Sequence, residues 1–289
     1  MPTTKSPLRY PGGKTQLAKF VNHTIKLNGI QYPIYCEPFS GGAGVAIALL
    51  LSEQADSIIL NDYDTAIYSF WYAVLNDTER LMQKIIDTPI TLPVWHEEHR
   101  IYDELNELND YNFDLAFATF FLNRTNHAGI ITGGPVGGFE QKSKYTVNCR
   151  FNKENLIEKI RIIATQRHRI SLYHMDAVDF IPNILLNQPT ERLFTFFDPP
   201  YYQQGKKLYK NAFNNKKHVE LSHAIRTMSK FSWITTYDND NHIQEIYQDM
   251  DIKYYELQYS ANNKRREKEI FFHSPITKVE SFDKVIFID

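Results

Sequence analysis

The sequence predicts an α/β protein, built on an open and mostly parallel sheet that a helical insertion interrupts. Three observations carry that prediction. The apolar run Leu193-Phe194-Thr195-Phe196-Phe197 stops at Asp198-Pro199-Pro200-Tyr201, as a buried parallel strand does when its carboxyl end opens into a cleft. A second run, Ile34-Tyr35-Cys36, leads into Glu37-Pro38-Phe39-Ser40-Gly41-Gly42-Ala43-Gly44 and an apolar helix over 45–51. Strand, glycine-rich turn, helix is the layout of nucleotide-binding sheets. Between residues 63 and 159 the strand–helix alternation stops, and helical patterns follow one another instead.

At 289 residues, 43% of them hydrophobic, the chain can form one large or two modest domains with a substantial core. The formal charge of −2 gives no global signature of a polyanion partner, but its distribution does. Residues 61–114 hold twelve acids against three bases, whereas 142–170 hold eight bases against two acids and 202–230 seven against one. One face is therefore expected to be basic. Cys36 and Cys149 form no pairing pattern, which predicts a reducing compartment without a disulfide framework. The first residues lack an apolar signal core and no run of about eighteen apolar residues occurs, so a soluble, cytoplasmic protein is expected.

In chain order, Pro-Leu-Arg-Tyr-Pro-Gly-Gly-Lys at 7–14 is rich in turn residues and precedes a helix over 15–27. Gly12 and Gly13 permit close backbone approach, and Lys14 stands where the helix begins, placed for an anion or a carbonyl. A strand over 57–60 ends at Asn61-Asp62. An acid about twenty positions beyond the glycines suits a ribose with both hydroxyls free. Helices over 66–75, 79–86, 95–108 and 113–122 form the insertion. Asn123-Arg124-Thr125-Asn126-His127-Ala128-Gly129 and a glycine-rich loop to Gly138 follow. Lys142, Lys144 and Arg150 then interleave with Tyr145, Asn148 and Asn152. Such a polar, basic edge suits phosphate and base-edge contacts. The alternation resumes with a helix over 154–166 and a strand over 169–173, which ends at Asp176 with Phe180 one helical turn further on. After the 193–197 strand come a helix over 215–229, a strand over 233–236 and a helix over 243–250. The segments 253–259 and 269–272 close the chain as a hairpin around Asn262-Asn263-Lys264-Arg265-Arg266.

The tetrapeptide at 198–201 points to a particular chemistry. An exocyclic amino group on a flat base has its lone pair delocalised into the ring. Two acceptors holding its hydrogens favour a pyramidal, nucleophilic nitrogen. Asp198 and the Pro199 carbonyl can be those acceptors while Tyr201 stacks on the ring face.

In residues and in motif order (glycine loop, insertion, Asp-Pro-Pro-Tyr) the chain resembles the Dam-type adenine-specific DNA methyltransferases over nearly its whole length. The resemblance implies a Rossmann-like sheet using S-adenosylmethionine, with residues 1–62 and 160–289 as the catalytic domain. Residues 63–159 become an inserted, helical target-recognition domain, and the substrate an adenine flipped out of double-stranded DNA. By position, Tyr10 and Lys14 match the N-terminal cofactor motif, and Glu37, Phe39, Gly41 and Gly44 the loop on the methionine side. Asp62 matches the ribose acid, and Asp176, with Phe180, the cofactor-adenine site. Asp198, Pro199 and Tyr201 match the catalytic loop, with Asp198 also bordering the cofactor. Arg124 and Asn126 fall in a stretch similar to the family's recognition motif. Together with Lys144, Arg150, Lys264 and Arg265 they are the expected DNA contacts. His127 departs from relatives that carry an aromatic there.

Methyl transfer is an in-line displacement that needs placement more than acid–base power. A sulfonium favours aromatic faces, and the sequence has no clustered His/Cys set, so no metal is expected. A cytosine-ring enzyme would need a Pro-Cys turn, but Cys36 follows Tyr35 and Cys149 follows Asn148. Two alternatives stay open at this point. One is a methyltransferase acting on an RNA amino group or a protein glutamine. The other is a silent DNA-binding module, against which the intact Asp62, Asp198 and Tyr201 argue.

Overall fold

The computed structural model describes residues 4–9, 14–202, 213–259 and 265–288. Its strands are β1 (Ile34–Glu37), β2 (Ser57–Asn61), β3 (Ile170–Tyr173), β4 (Leu193–Phe197), β5 (Ser232–Asp238), β6 (Lys253–Tyr259), β7 (Arg265–His273) and β8 (Phe287–Ile288). They form one sheet in the order β3-β2-β1-β4-β5-β7-β6-β8. The first five strands are parallel, with Tyr35 opposite both Ile58 and Phe194; β7 enters antiparallel, with Thr236 opposite Phe271. From β1 the chain works outward to β2 and β3, then returns to the other side of β1 as β4. That reversal makes a switch point between β1 and β4, where the carboxyl ends of both strands border a crevice.

The helices are α1 (Ala18–Leu27), α2 (Gly44–Leu51), α3 (Thr65–Asn76), α4 (Thr78–Asp87), α5 (Leu92–Leu105), α6 (Phe113–Thr125), α7 (Lys153–Thr165), α8 (Ala177–Asn183), α9 (Asn215–Arg226) and α10 (Asn241–Ile246). Alternate residues of the central strands serve opposite faces. Tyr35, Phe194 and Phe196 join one apolar cluster with α1, α2 and the insertion, whereas Cys36, Leu193 and Phe197 join a second with α8 and α9. The insertion shares the first cluster with the sheet, through Phe70 and Trp71 of α3 and Phe117, Phe120 and Phe121 of α6. Because α6 is wrapped by this core, its sequence is apolar on nearly every side.

Local chemistry explains most boundaries. Asp64 caps α3 by accepting from the Ala66 and Ile67 amides, and Asn112 caps α6 by accepting from Leu115. The helix expected over 95–108 starts earlier, because Pro93 occupies its first turn, and it ends at Leu105 with Asn106 as the cap. The helices expected to end at 229 and 250 stop at Arg226 and Ile246. β8 is two residues long, too short to leave a periodic signal.

Candidate active site

The carboxyl ends of β1, β2 and β4 deliver the three acids expected at the crevice, Glu37, Asp62 and Asp198. Each is held by groups from other elements. Glu37 Oε1 accepts from the Ala46 amide at 2.9 Å and the Tyr35 hydroxyl at 3.1 Å, which fixes the first turn of α2; burial pushes its pKa up to about 8. Asp62 accepts from the Gly41 amide at 2.7 Å, the Asp64 amide at 3.0 Å and the Ser40 hydroxyl at 3.4 Å. Burial first, and the Asp64 charge second, raise its pKa to about 7. The acid therefore shapes the glycine loop. The Trp71 indole steadies the same loop by donating to the Gly41 carbonyl at 2.8 Å. Gly44 is required at its position: a Cβ there would stand 2.1 Å from Thr15 Oγ1.

Asp198 sits at the end of β4, its side chain 27% exposed and otherwise enclosed by protein, and this desolvation lifts its pKa to about 6. The Thr236 hydroxyl donates to its Oδ1 at 3.0 Å, and Lys14 Nζ stands 3.6 Å from the same atom. Lys14 is buried, 3.2 Å from Glu269 Oε1, in hydrogen-bond contact with the Tyr201 hydroxyl and 4.5 Å from the centre of that ring. The Tyr201 hydroxyl in turn donates to Glu269 Oε1 at 2.7 Å, and the Tyr255 hydroxyl donates to Glu269 Oε2. Side chains from β5, β6 and β7 and from the loop after β4 thus gather around one ammonium that stands between two carboxylates. Tyr202 continues the loop, its amide donating to Asp238 at 2.9 Å and its ring stacked on His242.

The remaining expected residues are placed unevenly. Phe39 lines the loop edge-on to Phe213, and Gly41 adopts φ 44°. Asp176 caps α8 and pairs with Lys217 at 2.5 Å. Phe180 is fully buried against Tyr173 in the second core cluster. Asn126, expected at DNA, is fully buried and committed internally. It accepts from Trp95 Nε1 at 2.6 Å and donates to the Ile130 and Ile131 carbonyls at 2.9 and 2.7 Å. Arg124 turns inward, donating to the Arg150 carbonyl at 2.6 Å, whereas Lys144 is exposed beside Tyr145. Tyr10, Lys264 and the side chain of Arg265 lie outside the described residues. Among the described residues no cluster of three His, Cys, Asp or Glu side chains could hold a metal ion, and no helix is long and apolar enough to cross a membrane.

Sequence reasoning missed Glu269 and Tyr255, reading both only as parts of a closing hairpin. The available signal was an acid at 269, two positions from Phe271 and so on the inward face of its strand.

An open, mostly parallel sheet with acids at three strand ends, and an Asp-Pro-Pro-Tyr loop at its switch point, is the layout of the nucleotide-binding α/β class. Residues 10–261 match the family of D12 class N6 adenine-specific DNA methyltransferases, and the chain belongs to that family: it is an adenine-specific DNA methyltransferase. It is 24% identical over 245 residues to the type II methyltransferase M.MjaIII of Methanocaldococcus jannaschii, covering 77% of this chain and 80% of that one. A solved structure, the rRNA methyltransferase AviRa from Streptomyces viridochromogenes, aligns with 93% of this chain and 87% of its own, at 9% identity and a TM-score of 0.41.

Proposed function

We propose that the Asp198–Tyr201 loop methylates the exocyclic amino nitrogen of an adenine flipped out of double-stranded DNA, with S-adenosylmethionine as donor. The observation that carries this reading is the Asp198 carboxylate at the sheet's switch point, beside a tyrosine ring that Glu269 and Lys14 hold in place. Asp198 accepts one amino hydrogen and the Pro199 carbonyl the other, which directs the nitrogen lone pair toward the methyl carbon. Tyr201 stacks on the base, and its fixed hydroxyl limits rotation of the ring. Thr236 and Lys14 set the position of Asp198 and keep it ionised near neutral pH.

The same surroundings suit the donor. Asp62, held by two backbone amides, faces the crevice as an acceptor for ribose hydroxyls. The Asp198 and Glu269 carboxylates attract a sulfonium. When bound, S-adenosylmethionine supplies the electrophilic methyl group.

Residues 1–62 and 160–289 act as the catalytic unit and 63–159 as the target-recognition unit, with Arg124, Lys144 and Arg150 on the DNA side. The type II designation of the M. jannaschii relative supports a restriction–modification setting, and a DNA substrate supports a soluble, cytoplasmic enzyme. The test is single-turnover methylation of an adenine-containing duplex with labelled, saturating cofactor. Asp198→Ala is expected to change cofactor binding at most modestly, because Asp62 and the glycine loop are untouched, and to lose at least roughly 10²-fold in rate. A near-wild-type rate would make the tetrapeptide a mere strand-ending turn and defeat the assignment.

A further inference from the structure

A ligand laid along the carboxyl ends of this sheet meets the strands in their spatial order. The reacting methyl group must stand by Asp198 on β4 and the ribose by Asp62 on β2, so the base of the cofactor lies beyond Asp62, toward β3. That end of the crevice is firmly built. Asn61 accepts from the Met175 amide and donates to the Met175 carbonyl, both at 3.0 Å, and the Asp62 amide donates to the Tyr173 carbonyl at 3.3 Å. His174 Nε2 lies 3.1 Å from the Tyr63 carbonyl oxygen. These bonds lace the end of β2 to the end of β3. They set the exposed ring of Tyr63 and the carboxylate of Asp176 on neighbouring strand ends.

Both groups are engaged by one side chain. Asp176 Oδ1 accepts from the Val178 amide at 3.0 Å as the cap of α8, and Oδ2 accepts from Lys217 Nζ at 2.5 Å. The same ammonium stands 5.2 Å from the centre of the Tyr63 ring. Lys217 comes from the first turn of α9, 41 positions further along the chain, where its amide donates to the Asn214 cap at 3.0 Å. The bond to Asp176 is the chief cause that raises the pKa of this ammonium. A lysine on a helix surface needs neither contact, and Lys216 beside it pairs within its own helix, with Glu220. What Lys217 holds is what an aromatic base with an amino group needs: a carboxylate oxygen and a flat aromatic face.

We propose that Lys217 is a latch on the base end of the cofactor crevice, and that the adenine of S-adenosylmethionine displaces it on binding. The proposal rests on the S-adenosylmethionine reading for the ligand and on the two contacts of Lys217 for the latch. With Oδ1 of Asp176 committed to the α8 cap, Oδ2 is the oxygen left for the amino group of the base, and the ammonium sits on it. The purine ring and the ammonium compete in the same way for the face of Tyr63. Apparent cofactor affinity is therefore reduced by the fraction of molecules in which the latch is shut. For an ion pair of this exposure the reduction is about 2- to 5-fold.

Lys217→Met, which removes the charge and keeps the length, and Lys217→Gln test this, with S-adenosylhomocysteine as the probe. That probe lacks the sulfonium, so the loss of a lysine charge does not act on it through the sulfur. Calorimetry at low salt should show each variant binding it about 2- to 5-fold more tightly than the wild type. Adenosine alone should show the same gain, because the latch acts at the base end. Added potassium chloride should tighten wild-type binding toward the variants' value and leave theirs in place, since salt screens the ion pair. In an Asp176→Asn background, where the ionic latch is already broken, Lys217→Met should add nothing. Weaker binding by both variants would make Lys217 a ligand contact and overturn the latch, as would a gain that persists with Asp176→Asn. A gain with S-adenosylhomocysteine that adenosine does not share would place the effect away from the base and overturn it too. If the wild type binds neither probe and transfers no methyl group from labelled cofactor, the S-adenosylmethionine reading fails and the latch goes with it. If the wild type binds and transfers while the variants match its affinity, the latch fails alone.

Discussion

Glu269→Gln isolates the charge of a side chain whose shape it preserves. Both Asp198 and Glu269 lean on the ammonium of Lys14, at 3.6 and 3.2 Å, so the facing carboxylate oxygens are no more than about 7 Å apart. At an effective dielectric near 20, that separation corresponds to about 2 kcal/mol of repulsion, and one pKa unit is about 1.36 kcal/mol. Glu269 is among the groups that raise Asp198 toward 6, and Lys14 opposes it. Removing the Glu269 charge favours the ionised form of Asp198, beside which Lys14 remains. The folded pKa of Asp198 should fall from about 6 to roughly 4.5–5 once the shared lysine's screening is allowed for. Asp198 works as an acceptor when ionised, so with cofactor saturating at every pH, which removes the Asp62 titration, the acid limb of kcat/KM for DNA should move down in pH by about that amount. Glu37 also senses Asp198, but its bonds to Tyr35 and Ala46 survive in the variant, so it contributes equally to both profiles. The assay is initial-rate methylation of an adenine duplex from pH 4.5 to 8.5, with cofactor affinity measured in parallel. An acid limb that stays in place, or moves up, would refute the coupling.

Asp62→Ala should weaken S-adenosylmethionine binding by roughly 1.5–3 kcal/mol, the scale of a charge-assisted hydrogen bond, read by calorimetry. Because Asp62 titrates near 7 and accepts only as the carboxylate, wild-type cofactor affinity should decline as pH falls through about 7, and the variant should lose that dependence. Asn126→Ala leaves the Trp95 indole and two carbonyls without their partner; about 1–3 kcal/mol of stability should be lost in urea, with the DNA salt slope unchanged. Gly44→Ala drives a methyl into Thr15 Oγ1 and should cost about 1–3 kcal/mol, and adding Thr15→Ala should recover part of it because the next atom, Thr15 Cβ, is 3.2 Å away.

What residue order alone determined is whatever depends on near neighbours. The Leu193–Phe197 run, apolar at every position and stopped by two prolines, is β4 with the expected bounds. Strand β1 running into the glycine loop, and β2 ending at Asp62, are likewise each legible from their own near neighbours. The antiparallel return shows in its alternation, but the second strand, expected over 269–272 after a basic loop 262–266, begins at Arg265 and pairs from there with Tyr259. Tertiary structure decided which polar groups meet. Lys14 looked like the start of a helix facing an anion, and the anions prove to be Asp198 and Glu269, the latter 255 positions away. Asn126 and Arg124 sit in a recognition-like motif, yet one is consumed by Trp95 and two carbonyls and the other donates to the Arg150 and Pro7 carbonyls. Phe180 follows Asp176 by one helical turn, but the packing of α8 directs it into the core. Backbone periodicity is set by φ/ψ preferences and local burial, so it is legible along the chain. The partner of a buried charge is set by which strands become neighbours, and only folding brings 14, 198 and 269 to one point.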